Sequence, residues 1–193
     1  MRTYAAVTAA PTDRVLAALA TGKLGGYLLP EGDRGTGVLF DRPKYRFGRI
    51  TARRMESPGW DLAWELKEPV WLLRESDQAA CATLTLGNGK VEQLGWAADW
   101  TPPADPAERA ADRADWDGYC ARIAALVGRP ELGAALGGIR NDPTPEGSRV
   151  GGAELLRQLC RLFGLPEAVI GQSLFEQAGP RGRDARRFEA KGR

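Results

Sequence analysis

The sequence predicts an α+β fold: a mainly antiparallel sheet with one early helix, followed by a helical portion. Three observations carry this. Up to Trp100 short apolar runs are separated by Gly- and Pro-rich turns, the punctuation of strands. The stretch "DWTPPADP" then interrupts the pattern, and beyond it apolar residues recur at helical spacing. Each half also opens or closes its elements with recognisable turn and cap residues. The expected organisation is a β-rich α+β domain at 1–100, a Pro-rich connector at 101–104, a helical region at 105–179 and a basic tail at 180–193. No internal repeat is visible, and 193 residues are enough for a sizeable core.

Taken in order, "TYAAV" from Thr3 to Val7 reads as a strand. "PTDRVLAALATG" reads as a short helix capped by Thr12, with Val15, Leu16 and Leu19 on one face and Gly22 at its end. "GGYLL" and "GVLF" flank the turn-rich "PEGDRGT" as a hairpin. The basic stretch "DRPKYRFGRITARR" follows, with Lys44 to Arg49 as a candidate strand. Leu62 to Leu66 and Val70 to Arg74 read as further strands. "ACATLTL" and "KVEQLGW" pair through Gly87, Asn88 and Gly89, which tolerate the positive φ of a tight turn.

Past the connector, Asp105 followed by Pro106 and Glu108 is a capping arrangement. Trp116, Tyr119, Cys120, Ile123, Leu126 and Val127 share helical spacing, so one helix is expected from Asp105 to Val127, ending near Gly128. A short helix over Glu131 to Leu136 follows. The Gly- and Pro-rich segment from Gly137 to Gly152 lacks the Gly-Lys-Ser/Thr ending of a P-loop and reads as a connector. A helix from Ala153 to Phe163 carries Leu155, Leu156, Leu159, Leu162 and Phe163 on one stripe, and a last helix is expected from Glu167 to Ala178.

Composition narrows function by exclusion. Hydrophobic residues make up 43% and charged ones 27%, ordinary globular usage with no run long enough for a membrane span. The N-terminal sequence lacks a long apolar leader stretch, and the expected location is the cytoplasm. Cys81, Cys120 and Cys160 are odd in number and far apart, which suggests neither a disulfide framework nor a metal knuckle. The chain contains no histidine. That removes Ser-His-acid triads, Cys-His pairs and His-ligated metals. Asp99, Asp105, Asp112, Asp115 and Asp117 lack EF-hand spacing and read as serving the helix start and its wet face. The expectation is a protein without enzymatic activity, cofactor or metal.

Charge is unevenly placed. Asp41 to Arg54 holds six basic residues and one acid, net +5; Arg181 to Arg193 holds six and two, net +4; with a chain total of +2, the remainder carries −7. Such concentration creates the local field that attracts phosphates. If Lys44 to Arg49 is a strand, Lys44 and Arg46 lie on one face and Tyr45, Phe47 and Arg49 on the other. Two readings stay open: a phosphate-contacting strip with an aromatic for base stacking, or a charged edge guarded against sheet-to-sheet aggregation. The tail likewise reads as a basic arm or as a frayed terminus. The candidate nucleic-acid or partner-binding residues are Arg42, Lys44, Tyr45, Arg46, Arg49, Arg53, Arg54, Arg181, Arg183, Arg186 and Arg187. The six tryptophans read mostly as core or subunit interface.

The order "TYAAV", helix, "YLLPEG", "GVLFDRPKYRFGRI" and "DLAWELKEPVWLLRESDQAACATL" resembles the small accessory subunit of type III-D CRISPR effector complexes. The resemblance covers the first half of the chain. It implies a non-catalytic subunit of an RNA-guided defence complex, with Arg42 to Arg49 contacting RNA or a neighbouring subunit. The functional expectation is therefore a non-enzymatic interaction module or accessory subunit, with other protein subunits as partners, RNA or single-stranded nucleic acid as a further one, and no membrane. The alternatives are a protein-binding inhibitor or immunity-type protein, and a small histidine-free enzyme using carboxylate or Tyr chemistry.

Overall fold

The computed structural model describes residues 1–20, 25–41, 53–143, 147–175, 179–181 and 184–189, the side chains at 53–57 excepted. Its centre is a seven-stranded antiparallel sheet: β1 (Thr3–Thr8), β2 (Gly26–Pro30), β3 (Thr36–Phe40), β4 (Val70–Glu75), β5 (Ala79–Thr85), β6 (Val91–Ala97) and β7 (Arg186–Phe188), in the order β6-β5-β4-β1-β3-β2-β7. The first strand in the chain thus lies in the middle of the sheet, between β3 and β4. Helices α1 (Thr12–Ala20) and α2 (Arg53–Leu66) belong to one face; α3 (Pro106–Leu126), the short α4 (Gly133–Gly137) and α5 (Gly152–Phe163) cover the other. The α+β class predicted from sequence is the one observed.

Strand alternation splits the apolar residues between two cores. In β1, Ala5 and Val7 face the α3–α5 layer while Tyr4 and Ala6 face α1 and α2. The same parity places Leu39, Trp71, Leu73, Ala80, Ala82, Leu84, Leu94 and Trp96 in the first core, and Leu28, Val38, Phe40, Val70 and Leu72 in the second. Residues from both halves of the sequence interdigitate in the first core, where Cys120, Ile123, Leu136, Leu155 and Leu159 pack on the sheet.

Close approach fixes two glycines. Gly35 has φ 93°, and a Cβ there would lie 2.2 Å from the carbonyl oxygen of Thr8. At Gly37 a Cβ would meet the Val169 Cγ1 at 2.3 Å, so the bare backbone is what lets the segment after α5 reach β3.

Several local expectations hold in detail. The Asp105 carboxylate accepts from the amides of Ala107 at 2.8 Å and Glu108 at 3.0 Å, with Pro106 in the first turn. The β5–β6 turn closes with Gly89 at φ 84° and Asn88 Oδ1 accepting from Lys90 N at 3.0 Å. α5 ends at Gly164 in the left-handed region.

Others are corrected. Leu62 to Leu66 is the last part of α2 and not a strand: Leu62, Ala63 and Leu66 are buried at helical spacing while Trp60 and Trp64 point outward. In α1, Val15 and Leu19 are buried but Leu16 is exposed, because only the i, i+4 pair faces the sheet. The hydroxyl of Thr12 lies 3.1 Å from that of Thr36, linking α1 to β3. The expected helix from Glu167 is a series of turns up to Phe175. The Glu31 carboxylate binds the amides of Glu167 at 2.7 Å and Ala168 at 2.9 Å, Val169 and Ile170 turn into the core, and Gly171 adopts φ 78°. The Gly171 amide, which such a helix would bond to the Glu167 carbonyl, donates instead to Thr3 Oγ1 at 2.9 Å. The basic tail is not frayed throughout: Arg186–Phe188 adds β7 to the edge of β2, with Phe188 buried.

Candidate functional site

Among the sequence-predicted site residues, Arg42, Lys44, Tyr45, Arg46, Arg49 and Arg183 lie outside the described residues, as does the expected strand from Lys44 to Arg49. Arg53 and Arg54 open α2. Arg186 and Arg187 sit on edge strand β7, and Arg181 is exposed just before it. Arg187 is engaged rather than open: its guanidinium forms a two-pronged ion pair with Asp41 at 2.7 and 2.7 Å and stacks over the Tyr27 ring at 4.8 Å. The carboxylate beside it raises its pKa above the usual arginine value. Arg187 thereby holds the tail to β2.

Two features emerge that sequence patterns alone do not single out. The first is on α2. Residues four apart on a helix share a face, and Trp60 and Trp64 stack there with ring centroids 5.6 Å apart and planes 11° apart. They are 41% and 45% exposed, which is unusual for so large an apolar ring. Lys67 Nζ lies 3.8 Å from the Trp64 ring centroid. Lys67 itself has φ 58°, so the chain turns sharply where α2 ends. Asp61 and Glu65 occupy the next stripe of the helix; partial burial, with the Glu65 charge adding to it, raises the Asp61 carboxyl above its ordinary pKa. An indole pair flanked by acids on one side and a lysine on the other is a surface of mixed sign. The i, i+4 spacing of Trp60 and Trp64 is the available signal in the sequence, and it is obscured because Leu62 to Leu66 fits a strand as well.

The second feature lies at the opposite end of the sheet. β6 is an edge strand with, among the described residues, one face covered: Leu94 and Trp96 face α3, while Val91 is 47% exposed. Side chains take up the backbone groups of Gln93 and the carbonyl of Ala97. The Tyr119 hydroxyl bonds the amide and carbonyl of Gln93 at 3.1 and 3.0 Å, and Asn141 Nδ2 donates to the Ala97 carbonyl at 2.6 Å. Between this edge, α3 and the segment after α4 lies a cavity of about 350 Å³, and a second of about 410 Å³ shares Trp96 and Asn141 with it. The segment predicted to be a mere connector supplies Arg140, Asn141 and Asp142 to the cavity wall.

On the outer face of the same hairpin, Arg74 donates to Cys81 Sγ at 3.4 Å, Thr83 Oγ1 at 3.2 Å and Gln93 Oε1 at 3.3 Å. Cys81 is partly exposed, whereas Cys120 and Cys160 are fully buried and burial pushes both thiols up to about 12. Since the thiolate is the nucleophile, native alkylation near neutral pH is expected to label Cys81 alone, and all three thiols after denaturation. Mass spectrometry of the labelled peptides checks this; label on Cys120 or Cys160 in the native state would mean that the α3–α5 layer opens readily.

Among the described residues no group of three or more acidic or cysteine side chains is placed to hold a metal, and the five aspartates from Asp99 to Asp117 do not converge. No described helix is long and apolar enough to cross a membrane.

The fold and these surfaces define an antiparallel-sheet α+β protein with helices on both faces, an exposed indole pair on one helix and a polar-ended cavity at a sheet edge. No family model, curated protein or solved structure matches the chain.

Proposed function

We propose that this protein is a non-enzymatic interaction module, an accessory subunit that docks onto a partner protein through the Trp60–Trp64 face of α2 within a larger, RNA-containing assembly. The single observation that carries the reading is the exposed, stacked indole pair. Tryptophan dominates binding hot spots because one rigid side chain removes a large area from water at low entropic cost. Leaving two of them on a surface otherwise served by Asp61, Glu65 and Lys67 fits a site that is covered in the assembly.

A protein suits that face better than a nucleic acid backbone does. Asp61 and Glu65 lie beside the indoles and would repel phosphates. RNA instead suits the +5 concentration from Asp41 to Arg54, which leads directly into α2. The two contacts would then be neighbours in sequence, and the resemblance to an accessory subunit of an RNA-guided complex implies for Arg42 to Arg49 a contact with RNA or a neighbouring subunit. The histidine-free composition favours a binding role over proton-transfer chemistry.

Quantitative affinity purification from the protein's own cells tests the docking part. The wild type is expected to retain a defined partner that the Trp60→Ala/Trp64→Ala variant loses, with RNase treatment leaving the protein contact intact. Identical recovery by both would overturn the assignment of α2. The RNA part is tested by titrating fluorescent single-stranded RNA across a salt series. Binding should weaken with salt, and changing Arg42, Lys44, Arg46 and Arg49 to Ala should reduce the slope of log affinity against log salt by about one for each phosphate no longer neutralised. An unchanged slope would remove the basic stretch from the RNA contact.

A further inference from the structure

The cavity at the β6 edge carries an inference of its own, independent of the docking face. Among the described residues, three buried polar side-chain atoms have no hydrogen-bond partner: Arg140 Nη1, Asn141 Oδ1 and Asp142 Oδ1. They belong to consecutive residues, and all three residues line this cavity. Native proteins rarely leave such atoms unmatched, since each unmade bond forfeits the hydration lost on burial. Three together mark a place where water or a ligand supplies the partners.

Other atoms of the same side chains are already engaged. Arg140 Nε donates to Asp142 Oδ2 at 2.9 Å, Arg140 Nη2 lies 3.6 Å from Asp112 Oδ2, and the Arg140 side chain is only 12% exposed. Asn141 is 7% exposed and is anchored to β6 by its amide nitrogen. What is left over is one donor, Arg140 Nη1, and two acceptors, Asn141 Oδ1 and Asp142 Oδ1. The complementary ligand edge has one acceptor beside two N–H donors.

The walls specify the rest of the ligand. Trp96, Trp100 and Trp116 line the cavity. The indole N–H of Trp96 donates to the Ile139 carbonyl at 2.9 Å and that of Trp116 to the Gly137 carbonyl at 3.0 Å, which fixes both rings; Trp96 is buried and packs edge-to-face on Trp116, so the partly exposed Trp116 and Trp100 offer the apolar surface for contact. Flat aromatic walls favour a planar ring. The volume falls within the ordinary range for small-molecule sites and exceeds what a water or a simple ion needs.

We propose that the cavity between β6, α3 and the Arg140–Asp142 segment is a binding site for a planar heterocycle with the hydrogen-bonding edge of guanine. Among the common bases only guanine presents an acceptor, O6, next to two donors, N1–H and N2–H. Uracil keeps the acceptor and the first donor but sets a third group, O2, as an acceptor against the protein's own acceptors; cytosine presents the inverse pattern, and adenine lacks the second donor group. An arginine is a natural partner of guanine O6, and a carboxylate oxygen accepts from its N–H groups. The three atoms are shielded from solvent, so binding requires the side chains at 140–142 to turn toward the cavity, and the unmade hydrogen bonds favour that turn. The adjoining cavity, which shares Trp96 and Asn141, leaves room for a sugar.

Isothermal titration and thermal shift with the uncharged nucleosides test this, because without a phosphate the basic segments contribute nothing. Guanosine is expected to bind saturably and raise the Tm of the full chain. Inosine, lacking the N2 donors, should bind about tenfold more weakly, and uridine should not bind. Asp142→Asn should weaken guanosine about tenfold or more while keeping the far-UV spectrum of the wild type, with a small fall in unliganded Tm because shape is conserved but the charge beside Arg140 is lost. Trp100→Ala, at a partly exposed wall position, should weaken guanosine and inosine alike. Absence of guanosine binding up to its solubility limit would overturn the proposal, as would equal binding of guanosine and uridine.

Discussion

Replacing Trp71 with Ala is expected to destabilise the fold by about 3–5 kcal/mol, the range for deleting a large aromatic from a packed core. For a chain of this size that lowers Tm by roughly 6–20 °C. Trp71 is 1% exposed and stands in β4, next to Val7 of β1 and Leu84 of β5 in register. Its ring lies 5.5 Å from that of Phe163 at the end of α5. It therefore joins the sheet to the helical half at one point, and Ala would leave a cavity bordered by both. Trp71→Phe keeps most of the volume and should cost less than half as much. Chemical denaturation of the three proteins checks this. A destabilisation below about 1 kcal/mol for Ala would mean that the α3–α5 layer is not packed against β4 as described.

The paired change Trp60→Ala/Trp64→Ala is expected to do the reverse, sparing the fold and removing the function. Within the isolated chain these residues contribute one stacked aromatic contact, worth about 0.5–1.5 kcal/mol, and one exposed cation–π contact with Lys67, about 0.5–1 kcal/mol. Leu62, Ala63 and Leu66, which seat α2 on the sheet, are untouched. The stability loss should therefore be about 1–2.5 kcal/mol at most. Partner affinity is a different matter, because a central tryptophan in an interface is commonly worth about 2 kcal/mol or more. Each substitution then weakens docking about thirtyfold, and the pair by at least about a hundredfold given incomplete additivity. A variant as stable as expected that still binds its partner at wild-type strength would show that this face lies outside the interface.

The contrast between these two changes follows from position and not from residue type, which explains why the core is more legible in the sequence than the site. A short apolar run bounded by turns marks Thr3 to Val7, the Gly87-Asn88-Gly89 turn marks the β5–β6 hairpin, and cap chemistry marks the start of α3 at Asp105. Such signals are local, and local rules read them correctly. α2 is hard to recognise because Leu62 to Leu66 is short and apolar, where period-2 and period-3.6 patterns overlap. The turns from Glu167 escape local rules because the group that organises them, the Glu31 carboxylate, is distant in sequence.

The cavity is illegible for the same reason. Arg140, Asn141 and Asp142 sit in a stretch whose Gly and Pro content says only that it is a loop. Their significance depends on β6 and α3 being brought beside them, which nothing at 140–142 encodes. The tryptophans are readable as a class but not one by one: Trp71 and Trp96 are core, Trp100 and Trp116 partly buried cavity walls, Trp60 and Trp64 surface. The basic clusters are plain from composition, yet only the structure shows that Arg187 is tied to Asp41 and Tyr27, unlike the side chains of a mobile arm.

Placing a photo-crosslinking amino acid at Asp61, beside the indole pair, and separately at Ala134 on the exposed side of α4, tests the docking assignment most directly. Irradiation in the protein's own cells should give a discrete protein adduct from position 61 that disappears when Trp60 and Trp64 are changed to Ala, and no such adduct from position 134. The same adducts from both positions, or none from position 61, would contradict α2 as the docking face.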